Sequence, residues 1–181
     1  MFKVVKKKYL APNVYLLRIE APLIASSALP GQFLIVIADE FAERIPLTIA
    51  DFDKDAGTVD IVVQSAGTGT QKINAVEEGQ YVRDIVGPLG VYSEFVNEDL
   101  EELKKKNYIF VSGGIGAAPV YAQVKWFKEH GLNCDVIIGA KSEEYIIFEE
   151  KMRAAATNVY TCTDDGSYGF KGNVTDMLNH L

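Results

Sequence analysis

Glycines at 113, 114 and 116 stand where a chain could hold a phosphate. They follow the apolar run Tyr108-Ile109-Phe110-Val111 and precede a helical stretch from Ala118 to His130. A strand, a glycine turn and a helix form a ready anion site. The first helical turn leaves N–H groups unpaired at the positive end of the dipole. Glycine also lets the backbone approach a pyrophosphate with no Cβ in the way. Pro119 suits that first turn, where no donor is needed. Counting Gly-x-Gly-x-x-Gly from Gly114 puts Pro119 at the third glycine, so the run departs from the common dinucleotide fingerprint. An ordinary tight turn is the competing reading.

Two later loops bear on the same site. Gly139-Ala140-Lys141-Ser142 carries a lysine that could meet a 2′-phosphate, and Glu143 and Glu144 could meet a 2′-hydroxyl. Spacing leaves NAD and NADP both open. Thr163-Asp164-Asp165-Gly166-Ser167-Tyr168-Gly169 follows the strand candidate Asn158 to Cys162. In open α/β sheets the ligand crevice lies beyond the carboxyl ends of the strands. Asp165 and Gly166 are therefore expected to border a nicotinamide.

The elements that must position these groups fall into two rhythms. Up to residue 97 the pattern is short strands and turns. Val14 to Ile19, Gln32 to Ile37, Pro46 to Asp51, Thr58 to Gln64 and Tyr81 to Val86 read as strands, with one short helix around Thr70 to Ala75. Such spacing predicts a β-barrel or sandwich. From residue 98 onward Glu98 to Lys106 reads as a charged connector. Strands then alternate with helices at Ala118 to His130, Phe148 to Ala155 and Val174 to His180. This predicts a parallel α/β sheet. The expected organisation is a barrel domain over residues 1–97 and a nucleotide-binding α/β domain over residues 98–181.

Composition sets limits on function. The 181 residues are 48% hydrophobic and 24% charged, as in ordinary globular chains. The net charge of −7 argues against a nucleic-acid binder. No apolar run reaches the roughly 18 residues needed for a membrane span, and no signal peptide is evident, so a cytoplasmic location is expected. Cys134 and Cys162 are too few for an iron–sulfur cluster, and no metal site is expected.

In chain order, Arg44-Ile45-Pro46-Leu47-Thr48, Ala66-Gly67-Thr68-Gly69-Thr70, Gly87-Pro88-Leu89-Gly90, the Gly113 to Pro119 run, Gly139 to Ser142 and Thr163 to Gly169 span most of the sequence. Together they resemble the ferredoxin–NADP reductase superfamily. More narrowly, they are similar to dihydroorotate dehydrogenase electron-transfer subunits and to the flavoprotein small subunit of NADH-dependent reduced ferredoxin:NADP oxidoreductase. The resemblance implies FAD on the barrel. Pro46, Leu47 and Thr48 would line the isoalloxazine, with Thr48 near N5. Val62, Val63 and Gln64 would follow the ribityl and ribose. Gly69 and Thr70 would hold the pyrophosphate. Gly113, Gly114, Gly116 and Ala117 would take NAD(P)H. The family often has an arginine three residues before the hydroxyl residue. Here Arg44 stands four before Thr48, and Ile45 takes the usual place.

The implied activity is hydride transfer between NAD(P)H and FAD, then single-electron transfer to an iron–sulfur centre, a larger flavin and iron–sulfur subunit, or ferredoxin. No catalytic acid or base is required of the protein. Relatives of this kind continue into a further strand and a cysteine-rich segment holding a [2Fe-2S] cluster. The expectation is therefore that this sequence is a fragment of a longer subunit, or else a shortened homologue. The rival reading is a non-catalytic docking subunit with a vestigial nucleotide site. A transferase built on the α/β half alone would leave the β-rich half unexplained.

Overall fold

A computed structural model describes residues 1–181, which divide into two compact units between Ser93 and Glu94. Unit 1 contains β1 (Phe2–Ala11), β2 (Val14–Glu20), α1 (Pro22–Ser27), β3 (Phe33–Ile37), β4 (Ile45–Asp53), β5 (Thr58–Gln64), α2 (Thr68–Asn74), β6 (Tyr81–Val82) and β7 (Asp84–Leu89). Its strands form one antiparallel half-barrel in the order β6-β1-β2-β5-β4-β3-β7. Local chemistry sets the hairpins. Asn13 takes a positive φ between β1 and β2. Between β4 and β5, the Asp53 carboxylate accepts from the N–H groups of Asp55 and Ala56.

Alternation along each strand then selects the core. Leu17, Ile19, Leu34, Val36, Ile49, Val59, Ile61 and Val63 meet inside, joined by Ile24 and Ala25 of α1 and Ile73 of α2. Asp60 is buried on β5. The Arg18 guanidinium opposite it on β2 grips both carboxylate oxygens, at 2.7 and 2.8 Å. β1 pairs with β6 only at Phe2 and Lys3, so its later residues have a strand on one side alone.

Unit 2 contains α3 (Leu100–Leu103), β8 (Ile109–Gly113), α4 (Ala117–Glu129), β9 (Asp135–Ala140), α5 (Glu149–Ala155), β10 (Asn158–Thr163), β11 (Phe170–Lys171) and α6 (Val174–His180). The four strands are parallel, in the order β11-β10-β9-β8. Phe127 of α4 packs edge-on against Tyr108 and Phe110 on one face. Met177 of α6 meets Ile137 and Cys162 on the other. No helix is long and apolar enough to cross a membrane.

Three elements go beyond the sequence expectation. Residues 22–27 form α1 with no side-chain cap, because Ile24 and Ala25 are drawn into the core. The charged connector contains α3, whose N-cap Asp99 accepts from the N–H groups of Glu101 and Glu102. A fourth strand, β11, follows the loop after β10; two residues are too short to show a period in sequence.

Candidate functional site

In unit 1, β3 pairs with β4 so that Phe33 lies beside Thr48 and Ile35 beside Pro46. On its other side, β3 places Phe33 beside Leu89 and Ile35 beside Val86 of β7. Pairing partners share a face. Pro46, Thr48 and Val86 are exposed there, and Phe33, Ile35 and Leu89 are half-buried. This is an apolar surface carrying one hydroxyl. Ile45 and Leu47 turn the opposite way and pack on the core. Of the three residues expected along the ring, Pro46 and Thr48 offer side chains and Leu47 offers backbone. Arg44 precedes β4 and is exposed.

Among the other residues expected in unit 1, Val63 is fully buried in the core, and its carbonyl accepts from Asn74 Nδ2 at 3.2 Å. Val62 is buried opposite Leu16, and Gln64 is exposed at the end of β5. Gly69 lies in the first turn of α2, tight against β4. A Cβ there would stand 2.6 Å from Ile45 Cδ1 and 2.8 Å from a Glu43 carboxylate oxygen. The Thr70 hydroxyl closes the loop before the helix. It accepts from the N–H groups of Ala66 and Gly67, at 2.9 and 3.1 Å, and donates to the Gly67 carbonyl.

In unit 2, Gly113 ends β8, Gly114 to Gly116 form a single 3-10 turn, and Ala117 opens α4. Gly114 has φ +53°, a left-handed angle that glycine adopts without strain. A Cβ built at Gly113, Gly114 or Gly116 would meet no atom of the chain within 4 Å. The backbone here is open on the side where each Cβ would stand, a geometry that a phosphate cradle requires.

The loops after β9 and β10 are tied together. The N–H groups of Asp164 and Asp165 donate to the carbonyls of Ala140 and Lys141. Asp165 accepts from Ser167 N–H at 2.9 Å and from Ser167 Oγ at 2.7 Å, and the Ser167 bonds hold its carboxyl below the usual range. Ser167 Oγ in turn accepts from Glu143 N–H at 2.9 Å. So Asp165, expected to face a ligand, serves the loop itself. Asp164 is exposed with a carboxylate that makes no hydrogen bond within the chain. Sequence reasoning missed these Asp165–Ser167 bonds, although an Asp two residues before a Ser is a recognisable local turn signal. It also missed Phe33, which strand pairing alone brings between Thr48 and Leu89.

Both cysteines are free and buried. Burial pushes the Cys134 thiol up to about 11, helped by Asp135, and raises Cys162 as well. No cluster of three or more His, Cys, Asp or Glu side chains could hold a metal ion.

No protein-family model matches the chain. A protein of Clostridium beijerinckii, known as an uncharacterized protein in the adh 3′ region, is 59% identical over all 181 residues, which cover 61% of its length. The dihydroorotate dehydrogenase B (NAD(+)) electron transfer subunit of Shouchella clausii is 33% identical over 180 residues, 97% of this chain and 67% of that subunit. The solved structure of an NADH-dependent reduced ferredoxin-NADP oxidoreductase superposes with a TM-score of 0.88 at 34% identity, covering 100% of this chain and 63% of that one. The chain thus spans about three-fifths of the first of these relatives. Shared sequence along nearly its whole length and a shared ferredoxin reductase-like architecture lead to one conclusion: the chain belongs to the family of dihydroorotate dehydrogenase electron transfer subunits.

Proposed function

We propose that the chain is the flavin- and nucleotide-binding part of an electron-transfer subunit. The observation that carries this reading is the cradle at Gly113, Gly114 and Gly116, where the space for a Cβ is open at all three glycines ahead of a thirteen-residue helix. When bound, FAD supplies a two-electron acceptor for hydride from NAD(P)H and a donor of single electrons to an iron–sulfur centre or partner. The chain's own residues bind and orient. Pro46 and Thr48, with Phe33, Ile35, Val86 and Leu89 beside them, offer an apolar surface to the flavin ring, and the Thr48 hydroxyl offers a hydrogen bond at its rim. Arg44, exposed before β4, is free to meet a phosphate of the same cofactor. Gly69 and Thr70 present the first turn of α2 to the pyrophosphate. Gln64 and the backbone of Val62 and Val63 follow the ribityl chain.

In unit 2, the cradle and Ala117 hold the dinucleotide phosphates, and the loop Asp164 to Gly169 borders the nicotinamide end. The free Asp164 carboxylate, with Glu143 and Glu144 close in sequence to Lys141, favours NADH over NADPH, in keeping with the NAD(+) in the relative's name. A larger iron–sulfur or flavin subunit, or a ferredoxin, then receives the electrons. Two buried reduced thiols suit a cytoplasmic setting.

Purification under gentle conditions tests the reading. The protein should carry or rebind about one FAD, and NADH should bleach its visible bands without oxygen. A colourless protein that fails to rebind FAD would end the flavin assignment. A flavin that neither NADH nor NADPH bleaches would leave a docking subunit in its place.

A further inference from the structure

We infer that Tyr168 and Glu149 are positioning residues that hold the Asp164 to Gly169 loop in its dinucleotide-binding shape, an inference that rests on the function proposed above. The loop is wired from three sides. Thr163 Oγ1 donates to the Tyr168 carbonyl at 2.7 Å and accepts from the Tyr168 N–H at 3.1 Å. Ser167 bridges the Asp165 carboxylate and the Glu143 N–H, joining this loop to the one after β9. The Tyr168 hydroxyl then donates to Glu149 Oε1 at 3.2 Å. That one oxygen also accepts from Thr161 Oγ1 at 2.9 Å and from the Arg153 guanidinium at 2.6 and 3.1 Å. Glu149 opens α5, and its side chain is only 18% exposed. A single carboxylate therefore joins helix, strand and loop.

Backbone packing closes the same device. Gly169 has φ +65°, and a Cβ there would press on the Thr161 carbonyl. The side chains of Thr163, Asp165, Ser167 and Tyr168 all bond within the protein, and Asp164 is exposed to solvent. The loop is thus set before any ligand arrives, and ligand binding is spared the entropy of ordering it. Beside the backbone bond from Asp164 to Ala140 at the end of β9, the Tyr168–Glu149 bond is the side-chain tether from the loop to α5.

Tyr168→Phe removes that tether and keeps the ring. It should raise the KM for NADH about three- to tenfold, the loss of one such hydrogen bond. The maximal rate of flavin reduction and the flavin content should stay within about twofold, while amide exchange quickens at Ser167, Tyr168 and Gly169. Glu149→Gln keeps an acceptor oxygen for Tyr168 and should leave both readouts near wild type; Glu149→Ala, which also strips Thr161 and Arg153 of their acceptor, should disturb both at least as much as Tyr168→Phe. Unchanged exchange in Tyr168→Phe overturns the inference, as does an unchanged KM in a protein whose flavin NADH reduces. If wild-type protein takes no electrons from NADH, the proposed function falls, and exchange alone still decides whether the tether holds the loop.

Discussion

At Gly69 the space a side chain would occupy is already taken by Ile45 and Glu43. At Gly113 and Gly116 the same space is empty. Both glycine turns precede helices, and both looked alike as sequence. In unit 1 the glycine is there so that β4 can approach α2. In unit 2 no part of the chain fills that space, as is also the case at Gly67, Gly79 and Gly131. A third case is Gly169, where the obstacle is the backbone carbonyl of Thr161 rather than the movable end of a side chain. What a glycine faces therefore says whether a side chain there would cost stability.

Substitutions can break this contrast. Gly169→Ala should cost most, about 3 kcal/mol or more, because a left-handed angle and a backbone obstacle add together; urea unfolding would measure it. Gly69→Val should destabilise by about 2 kcal/mol through overpacking, with part of the loss recovered by adding Ile45→Ala. Gly113→Ala and Gly116→Ala should leave stability within about 1 kcal/mol, since φ is −122° and −61° there. Their NADH dissociation constants should nevertheless rise about tenfold, or about 1.4 kcal/mol. Equal losses of stability at Gly69 and Gly116 would erase the distinction.

The smallest effect concerns acid. Ser167 depresses the folded-state value of Asp165, so this bond stabilises above the unfolded carboxyl value and is lost as pH falls through the folded one. Melting of Ser167→Ala should therefore fall slightly below wild type at neutral pH, and the gap should narrow in strong acid to what the lost Glu143 bond leaves.

The sequence made the alternating half of the molecule easiest to read. α6 and β9 show because apolar periodicity and flanking turn residues agree. α1 did not show, since its helical state comes from burying Ile24 and Ala25 and not from any cap. At the site, the glycine turn after β8 was visible in residue order. Which side chains face out was not, because that depends on register. Leu47 turns inward for this reason, while Phe33 arrives beside Thr48 from another strand. Arg44 lies just before β4, where strand alternation does not set its side; Ile45, at the arginine's usual place, goes to the core.

The unequal pairing of β1 bears on how the protein behaves in a crowd. Beyond Val4 that strand has a neighbour on only one side, and Lys6 and Lys8 stand exposed along it. An open strand edge is a template on which another chain can grow. Adding a second copy would bring its own Lys6 and Lys8 beside these, and their mutual repulsion works against sheet-to-sheet association. Neutralising those amines by acetylation should make concentrated solutions cloud sooner, with the fold itself unchanged.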